Sequence, residues 1–156
     1  MKKDPRLCVG IVLVNNQKNV FVGKRHFKDS KQTDEYWQMP QGGVNPGENP
    51  FDAMLRELHE EIGVSSDEVE IIAESKHWYK YDIPEEYHTK SYCAQQQKWF
   101  LLRFKGQDEA IDLKIKPQHQ EFSEWKWKAS KQVAKSVIPF KKEVYKKVMK
   151  DFEWYF

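Results

Sequence analysis

Three glutamates, Glu57, Glu60 and Glu61, stand at i, i+3 and i+4 in the run RELHEE. On a helix, at roughly 100° per residue, positions spaced in this way are neighbours on one face. Three adjacent carboxylates repel one another, and Arg56, four residues before Glu60, answers only part of that charge. A hard divalent cation can answer the rest. Oxygen-only ligands suit Mg²⁺ or Mn²⁺, and Mg²⁺ commonly completes its shell with water and phosphate oxygens. Taken without its surroundings, RELHEE is equally the pattern of a solvated acidic helix face.

The flanking residues predict a helix that would hold these side chains in place. Asn49 is a good N-cap, Pro50 fits the first helical position, Asp52 sits in the positive first turn and Gly63 is a natural stop. Phe51, Met54, Leu55, Leu58 and Ile62 recur at helical spacing and form an apolar stripe expected to be buried. Ahead of the helix, Gly42-Gly43 and Asn45-Pro46-Gly47 read as a tight loop.

Further upstream, Leu7–Val14 and Val20–Val22 flank Asn15-Asn16, so residues 7–25 read as a hairpin. The polar stretch 26–35 reads as a loop, and Tyr36–Met39 as a short strand stopped by Pro40. Downstream, Val69–Ala73, Trp78–Tyr81, Lys98–Phe104 and Phe122–Trp127 have strand character, with 82–96 as a long loop. Ser130–Val137 is a predicted short helix, broken at Pro139, and Phe140–Phe152 a longer one. Trp37, Trp99 and Trp127 are expected in the core. The mix is α+β, a central sheet flanked by helices, and 156 residues fit a single domain over 1–156.

A net charge of +2 conceals an uneven layout. Residues 48–70 hold eight acids against Arg56, whereas residues 126–150 hold nine lysines against Glu143. An acidic centre beside a basic flank suits a metal-dependent enzyme acting on a polyanion, and equally two solvated helix faces. The two cysteines, Cys8 and Cys93, form no CxxC pair, which argues against thiolate zinc. Cys8 reads as a small buried hydrophobe. None of the five histidines forms a metal-spaced pair. The apolar run after MKKDPR is short and reads as a core strand rather than a signal sequence. No stretch approaches membrane-spanning length, and a cytoplasmic setting is expected.

The surroundings of RELHEE decide between its two readings. From Gly42 the chain runs GGVNPGENPFDAMLRELHEEIGV, matching G-x5-E-x7-R-E-U-x-E-E-x-G-U, with U aliphatic, at every specified position. This is the Nudix box, and the chain resembles Nudix hydrolases. The resemblance implies an α/β/α sandwich with a mixed sheet, Mg²⁺ or Mn²⁺ as cofactor, and hydrolysis of a phosphoanhydride bond. It also implies that Glu57, Glu60 and Glu61 bind metal, that Gly42 offers its carbonyl to metal, and that Glu48 and Arg56 brace loop against helix. Which carboxylate takes the proton of the attacking water stays open among Glu60, Glu61 and a glutamate outside the box.

The stretches YWQMPQGGVNPGE (36–48), QQQKWFLL (95–102), EFSEWKW (121–127) and FKKEVYKKVMKDF (140–152) resemble the bacterial RNA pyrophosphohydrolases. These are also called dinucleoside polyphosphate hydrolases and include invasion-associated protein A. That likeness spans roughly residues 5–150. It implies that Glu121 is a further metal ligand or catalytic carboxylate and that Arg6 and Arg25 contact phosphates. Lys141 would lie near the bound nucleotide, Ile138 and Phe140 would pack on a base, and Tyr81 would border the same cleft. Lys98 either reaches the phosphates or is a sheet lysine.

The implied substrates are 5′-triphosphate RNA or a dinucleoside polyphosphate, the implied assembly is a monomer, and no membrane is involved. Two departures bear on substrate access: the 26–35 stretch is longer than expected, and the chain stops at Phe156 without the basic tail of some members. Rival readings are a pyrophosphatase for small nucleotides, such as oxidised nucleoside triphosphates or ADP-ribose, and a catalytically silent RNA-binding module.

Overall fold

The computed structural model describes residues 4–25, 36–85 and 94–156. The expected loop at 26–35, most of that at 82–96, and Cys93 lie outside the described residues. The strands are β1 (Arg6–Val14), β2 (Asn19–Arg25), β3 (Trp37–Gln38), β4 (Gln41–Gly43), β5 (Val69–Glu74), β6 (Tyr79–Asp82), β7 (Ala94–Phe104) and β8 (Phe122–Ala129). Two α-helices accompany them, α1 (Pro50–Ile62) and α2 (Lys142–Asp151).

One mixed eight-stranded sheet results, with β3-β2-β1-β7-β5 as its main path. In it β1 and β7 run parallel from Arg6 beside Gln95 to Val14 beside Arg103. Side chains of a strand alternate between faces, and the core divides accordingly. Val9, Ile11 and Leu13 of β1, with Phe100, Leu102 and Phe104 of β7, pack with Met54, Leu58 and Ile62 of α1. Val12 and Val14, with Trp99 and Leu101, pack with Val144, Tyr145 and Val148 of α2. The sheet is thus sandwiched between α1 and α2, as expected.

Several local expectations are corrected. The Gly42-Gly43 step is not a loop. As β4 it pairs antiparallel with β1, placing Cys8 beside Gly43 and Gly10 beside Gln41. Both strands of the expected hairpin form, but they pair at Val14 and Val20. The start of β1 is taken by β4, while β2 turns to β8 along its whole length. Residues 94–96 belong to β7 rather than to a loop. The predicted helix at 130–137 is a 3₁₀ segment, Ser130–Lys135. Another 3₁₀ turn, Pro139–Lys141, precedes α2, so that helix begins at Lys142 rather than Phe140.

Helix α1 is capped as its sequence predicts. The Asp52 amide donates to Asn49 Oδ1 at 2.9 Å, and Gly63 adopts a left-handed φ of 72° while its amide donates to His59. Of the apolar stripe, Met54, Leu58 and Ile62 are buried, Leu55 is half-buried and Phe51 is exposed. Phe51 lies in the first turn and meets Phe100 of the sheet ring to ring at 6.3 Å. Trp99 is wholly buried, whereas Trp37 and Trp127 are half-buried. Tyr145 of α2 accepts a hydrogen bond from the Met39 amide at 2.9 Å. That bond ties the last helix to the segment leading into β4. Among the described residues, no helix is long and apolar enough to cross a membrane.

Candidate active site

The short β4 strand lays Gly42 and Gly43 between the start of β1 and helix α1. A cleft of about 370 Å³ opens there. Its carboxylates are Glu57 and Glu61 from α1 and Glu121 from the segment entering β8. Its cations are Arg6, Arg25 and Lys141. Tyr81, Phe140, Gly42 and Gly43 complete much of the remaining wall. Residues distant in sequence are therefore brought together much as the resemblance implies.

Arg56 organises the acidic side. Its Nε and Nη2 donate to the two carboxylate oxygens of Glu48, at 3.0 and 2.9 Å. Nη2 also donates to the Gly43 carbonyl at 2.7 Å, and Nη1 to Glu57 at 2.7 Å and Glu60 at 3.3 Å. Glu48 in turn accepts from the Asn45 amide at 3.0 Å. The planar guanidinium thus joins the 43–48 turn to α1, a task that a lysine's single ammonium cannot match.

Glu61 and Glu57 lie deepest. Glu61 is buried, and its Oε2 has no hydrogen-bond partner among the described residues. Burial first, then the charges of Glu121 and Glu57, hold its carboxyl well above the usual range. Burial also raises Glu57, against the lowering effect of hydrogen bonds from Arg56 and Glu61. Clustered buried carboxylates of this kind call for a cation.

Two further observations fit a metal. A Cβ on Gly42 would sit 2.0 Å from the Glu57 carboxyl carbon, so only glycine lets the backbone approach that group. The Glu57, Glu61 and Glu121 carboxylates and the Gly42 carbonyl offer oxygen, the choice of hard cations. As the side chains stand, no three acids, histidines or cysteines among the described residues converge on one point.

Glu60 is not part of the cleft wall. Its carboxylate lies between Arg56 and Lys116, the latter at 2.9 Å. Ile138 likewise stays out of the cleft, packed at the margin of the α2-side core. Lys98 pairs with Glu74 at 3.5 Å and does not line the cleft. Phe140 meets the Tyr81 ring at 5.8 Å, and Arg25 approaches Glu121 at 3.7 Å.

The buried ammonium of Lys141 reaches Gln38 Oε1 at 3.4 Å. Desolvation, and then the Arg25 charge, lowers its pKa to about 8. Cys8 is buried as expected, and burial pushes its thiol up to about 11, yet it also lines the cleft. Sequence reasoning assigned no role to Gln41 or Gln95, which line the cleft as well. Their visible signals were the QQQ run at 95–97 for Gln95 and the YWQMPQGGVNPGE stretch at 36–48 for Gln41.

The chain belongs to the NUDIX family, whose domain matches residues 4–151. It is a Nudix hydrolase, acting on phosphoanhydrides with the divalent-metal dependence general to such enzymes. Within the family it is 48% identical over 155 residues to the RNA pyrophosphohydrolase of Wolbachia pipientis subsp. Culex pipiens, covering 97% of this chain and 91% of that protein. The RNA pyrophosphohydrolase of Roseobacter denitrificans is 45% identical over 152 residues, covering 95% of this chain and 91% of that protein. The fold is shared with the E. coli dihydroneopterin triphosphate pyrophosphohydrolase, at a TM-score of 0.70 and 18% identity over 94% of this chain and 96% of that one.

Proposed function

We propose that this enzyme removes pyrophosphate from the 5′-triphosphate end of RNA, leaving a 5′-monophosphate, and also splits dinucleoside polyphosphates. The observation that carries this reading is the makeup of the cleft: Glu57, Glu61 and Glu121 stand with Arg6, Arg25 and Lys141, and Phe140 stands beside them. The 48% identity with an RNA pyrophosphohydrolase over 97% of this chain supports it.

Glu57, Glu61 and Glu121, with the Gly42 carbonyl, would hold Mg²⁺ or Mn²⁺. Glu60 would join them by exchanging Lys116 for the ion. A bound divalent ion supplies Lewis-acid polarisation of phosphate oxygens and acidifies water. Arg6, Arg25 and Lys141 neutralise and orient the phosphate chain. Water attacks phosphorus, the anhydride P–O bond breaks, and the water's proton passes to a glutamate carboxylate. Glu61 and Glu121 are the candidates within the cleft. Phe140 offers a face for a base, an interaction worth about 1–3 kcal/mol and tolerant of sequence. Glu48 and Arg56 act through the loop they brace.

The test presents γ-labelled 5′-triphosphate RNA, diadenosine pentaphosphate and ADP-ribose with Mg²⁺. Cleavage of the RNA to a monophosphate end is expected. Fast cleavage of ADP-ribose alone would overturn the reading.

Lys141 gives a pH-dependent prediction. Burial favours its neutral form, so the free enzyme loses this positive charge as pH rises through about 8. KM for a triphosphate end should therefore climb through that pH, while Lys141→Met should have a KM about tenfold higher at neutral pH and no longer show the climb. Steady-state kinetics between pH 6.5 and 9.5 read both. An unchanged KM in Lys141→Met would remove the lysine from the binding set.

A further inference from the structure

Behind the cleft lies a group of uncharged side chains that the hydrolytic scheme does not use. Gln97 of β7 is buried, as is Trp99 two residues on. The Trp99 indole Nε1 donates to Gln97 Oε1 at 2.9 Å. An indole N–H can donate but never accept, so this bond decides which way the Gln97 amide points. Its oxygen must face the indole, and its NH₂ must face away.

From there Gln97 Nε2 donates to Gln41 Oε1 and Gln95 Oε1, each at 3.0 Å. The Tyr81 hydroxyl donates to the same Gln95 oxygen at 2.8 Å. Burial raises the Tyr81 pKa, so it remains a neutral donor. The carbonyl ends of Gln41 and Gln95 are thereby committed inward, while both residues line the cleft. The Gln41 side chain also bonds to the Tyr81 hydroxyl, whereas in Gln95, whose oxygen is bonded twice, the NH₂ end takes no partner among the described residues.

We infer that Gln97 is a positioning residue: its amide, oriented by the Trp99 indole, turns the NH₂ end of Gln95 toward the cleft as a neutral hydrogen-bond donor for the oxygens of a bound polyphosphate. The direction of the whole relay is set at its buried end. The Gln95 N–H points outward, and a phosphate oxygen is the acceptor that terminates it. Hydrogen bonds in such a chain polarise one another. Neutral donors also bind phosphate without competing for the carboxylates that hold metal, as an added lysine or arginine would. The inference rests on the reading of the cleft as a polyphosphate site and extends it to residues outside the Nudix box.

The test uses inorganic tripolyphosphate with Mg²⁺, side-chain amide NMR and calorimetric titration. Gln95→Ala identifies the Gln95 amide protons, which should shift when the wild type binds tripolyphosphate. Gln97→Glu keeps an acceptor for Trp99 but has no N–H. Gln95 would then turn its amide round and offer oxygen to the phosphate. Binding should weaken about tenfold and the Gln95 shift should vanish. Trp99→Phe removes the orienting donor with little change of shape and should weaken binding about threefold.

The inference is overturned if the Gln95 amide protons stay unmoved in the wild type, or if the folded variants bind tripolyphosphate as tightly as the wild type does. If the relay responds as expected but triphosphate-ended RNA remains uncut, the RNA reading fails and the relay stands.

Discussion

Glu61→Gln is expected to lower kcat/KM on triphosphate-ended RNA by about three orders of magnitude while leaving the fold intact. The substitution keeps size and shape. It also keeps a carbonyl oxygen for the hydrogen bond that Glu61 receives from the Gln41 backbone. What it removes is a buried negative charge whose Oε2 has no partner among the described residues. Without a cation that charge is a burden, because burial, Glu121 and Glu57 all disfavour it. The metal-free variant should therefore unfold at the same temperature as the wild type, or higher. Mg²⁺ should stabilise the wild type against heat and should do so much less in Glu61→Gln. Thermal unfolding with and without Mg²⁺, run beside the kinetics, separates loss of an ion site from loss of structure. A variant that kept both its activity and its Mg²⁺ response would remove Glu61 from the metal set.

Gly42→Ala should be nearly as damaging, about a hundredfold in kcat/KM, although it adds one methyl group. The new Cβ would lie 2.0 to 2.4 Å from all three atoms of the Glu57 carboxyl group. Real Cβ atoms do not approach so closely, so something must move. Gly42 is pinned by its pairing with Val9 of β1. Glu57 is held by its 2.7 Å bond from Arg56. The side chain is the softer of the two and would swing out of place, and a displacement of about 1 Å in such a site can cost about a hundredfold. Because the clash falls at the cleft rather than in the core, the unfolding temperature should change little. The discriminating measurement is the Mg²⁺ dependence of the rate: the apparent affinity for Mg²⁺ should fall. An unfolded variant, or one with unaltered Mg²⁺ affinity, would contradict this account.

Much of the site was legible in one dimension because its parts are local. Asn49, Pro50, Asp52 and Gly63 mark the ends of α1, and helical geometry then places Glu57, Glu60 and Glu61 near one another. The Arg56 brace is also written locally, since Glu48 lies eight residues away across one turn. Periodicity predicted most strands, because alternating burial on a sheet leaves its period in the residue types. The 3₁₀ turns that replaced parts of two predicted helices were not legible in this way. Short apolar-polar runs near Pro139 satisfy either form, and packing against β2, β8 and α2 decides between them.

The sequence by itself determined the chemistry of the bond: three glutamates at helical spacing inside a fully matched box, with glycine where the backbone must meet a carboxylate. Only the tertiary structure decided what else shares the cleft. Glu121, Arg25, Lys141 and Tyr81 converge because β8, β2, the turn before α2 and β6 meet around the start of β1, and that convergence depends on long-range pairing that no local pattern encodes. The structure also separated the three glutamates, which the sequence left equivalent. Glu61 faces inward with its Oε2 unbonded among the described residues and Glu57 sits against Gly42, while Glu60 turns to Lys116, since neighbouring helix positions, about 100° apart, meet different surroundings once one side of the helix is buried against a sheet. The orientation of the Gln97 amide was likewise beyond sequence, because it follows from which end of Gln97 meets an indole that can only donate.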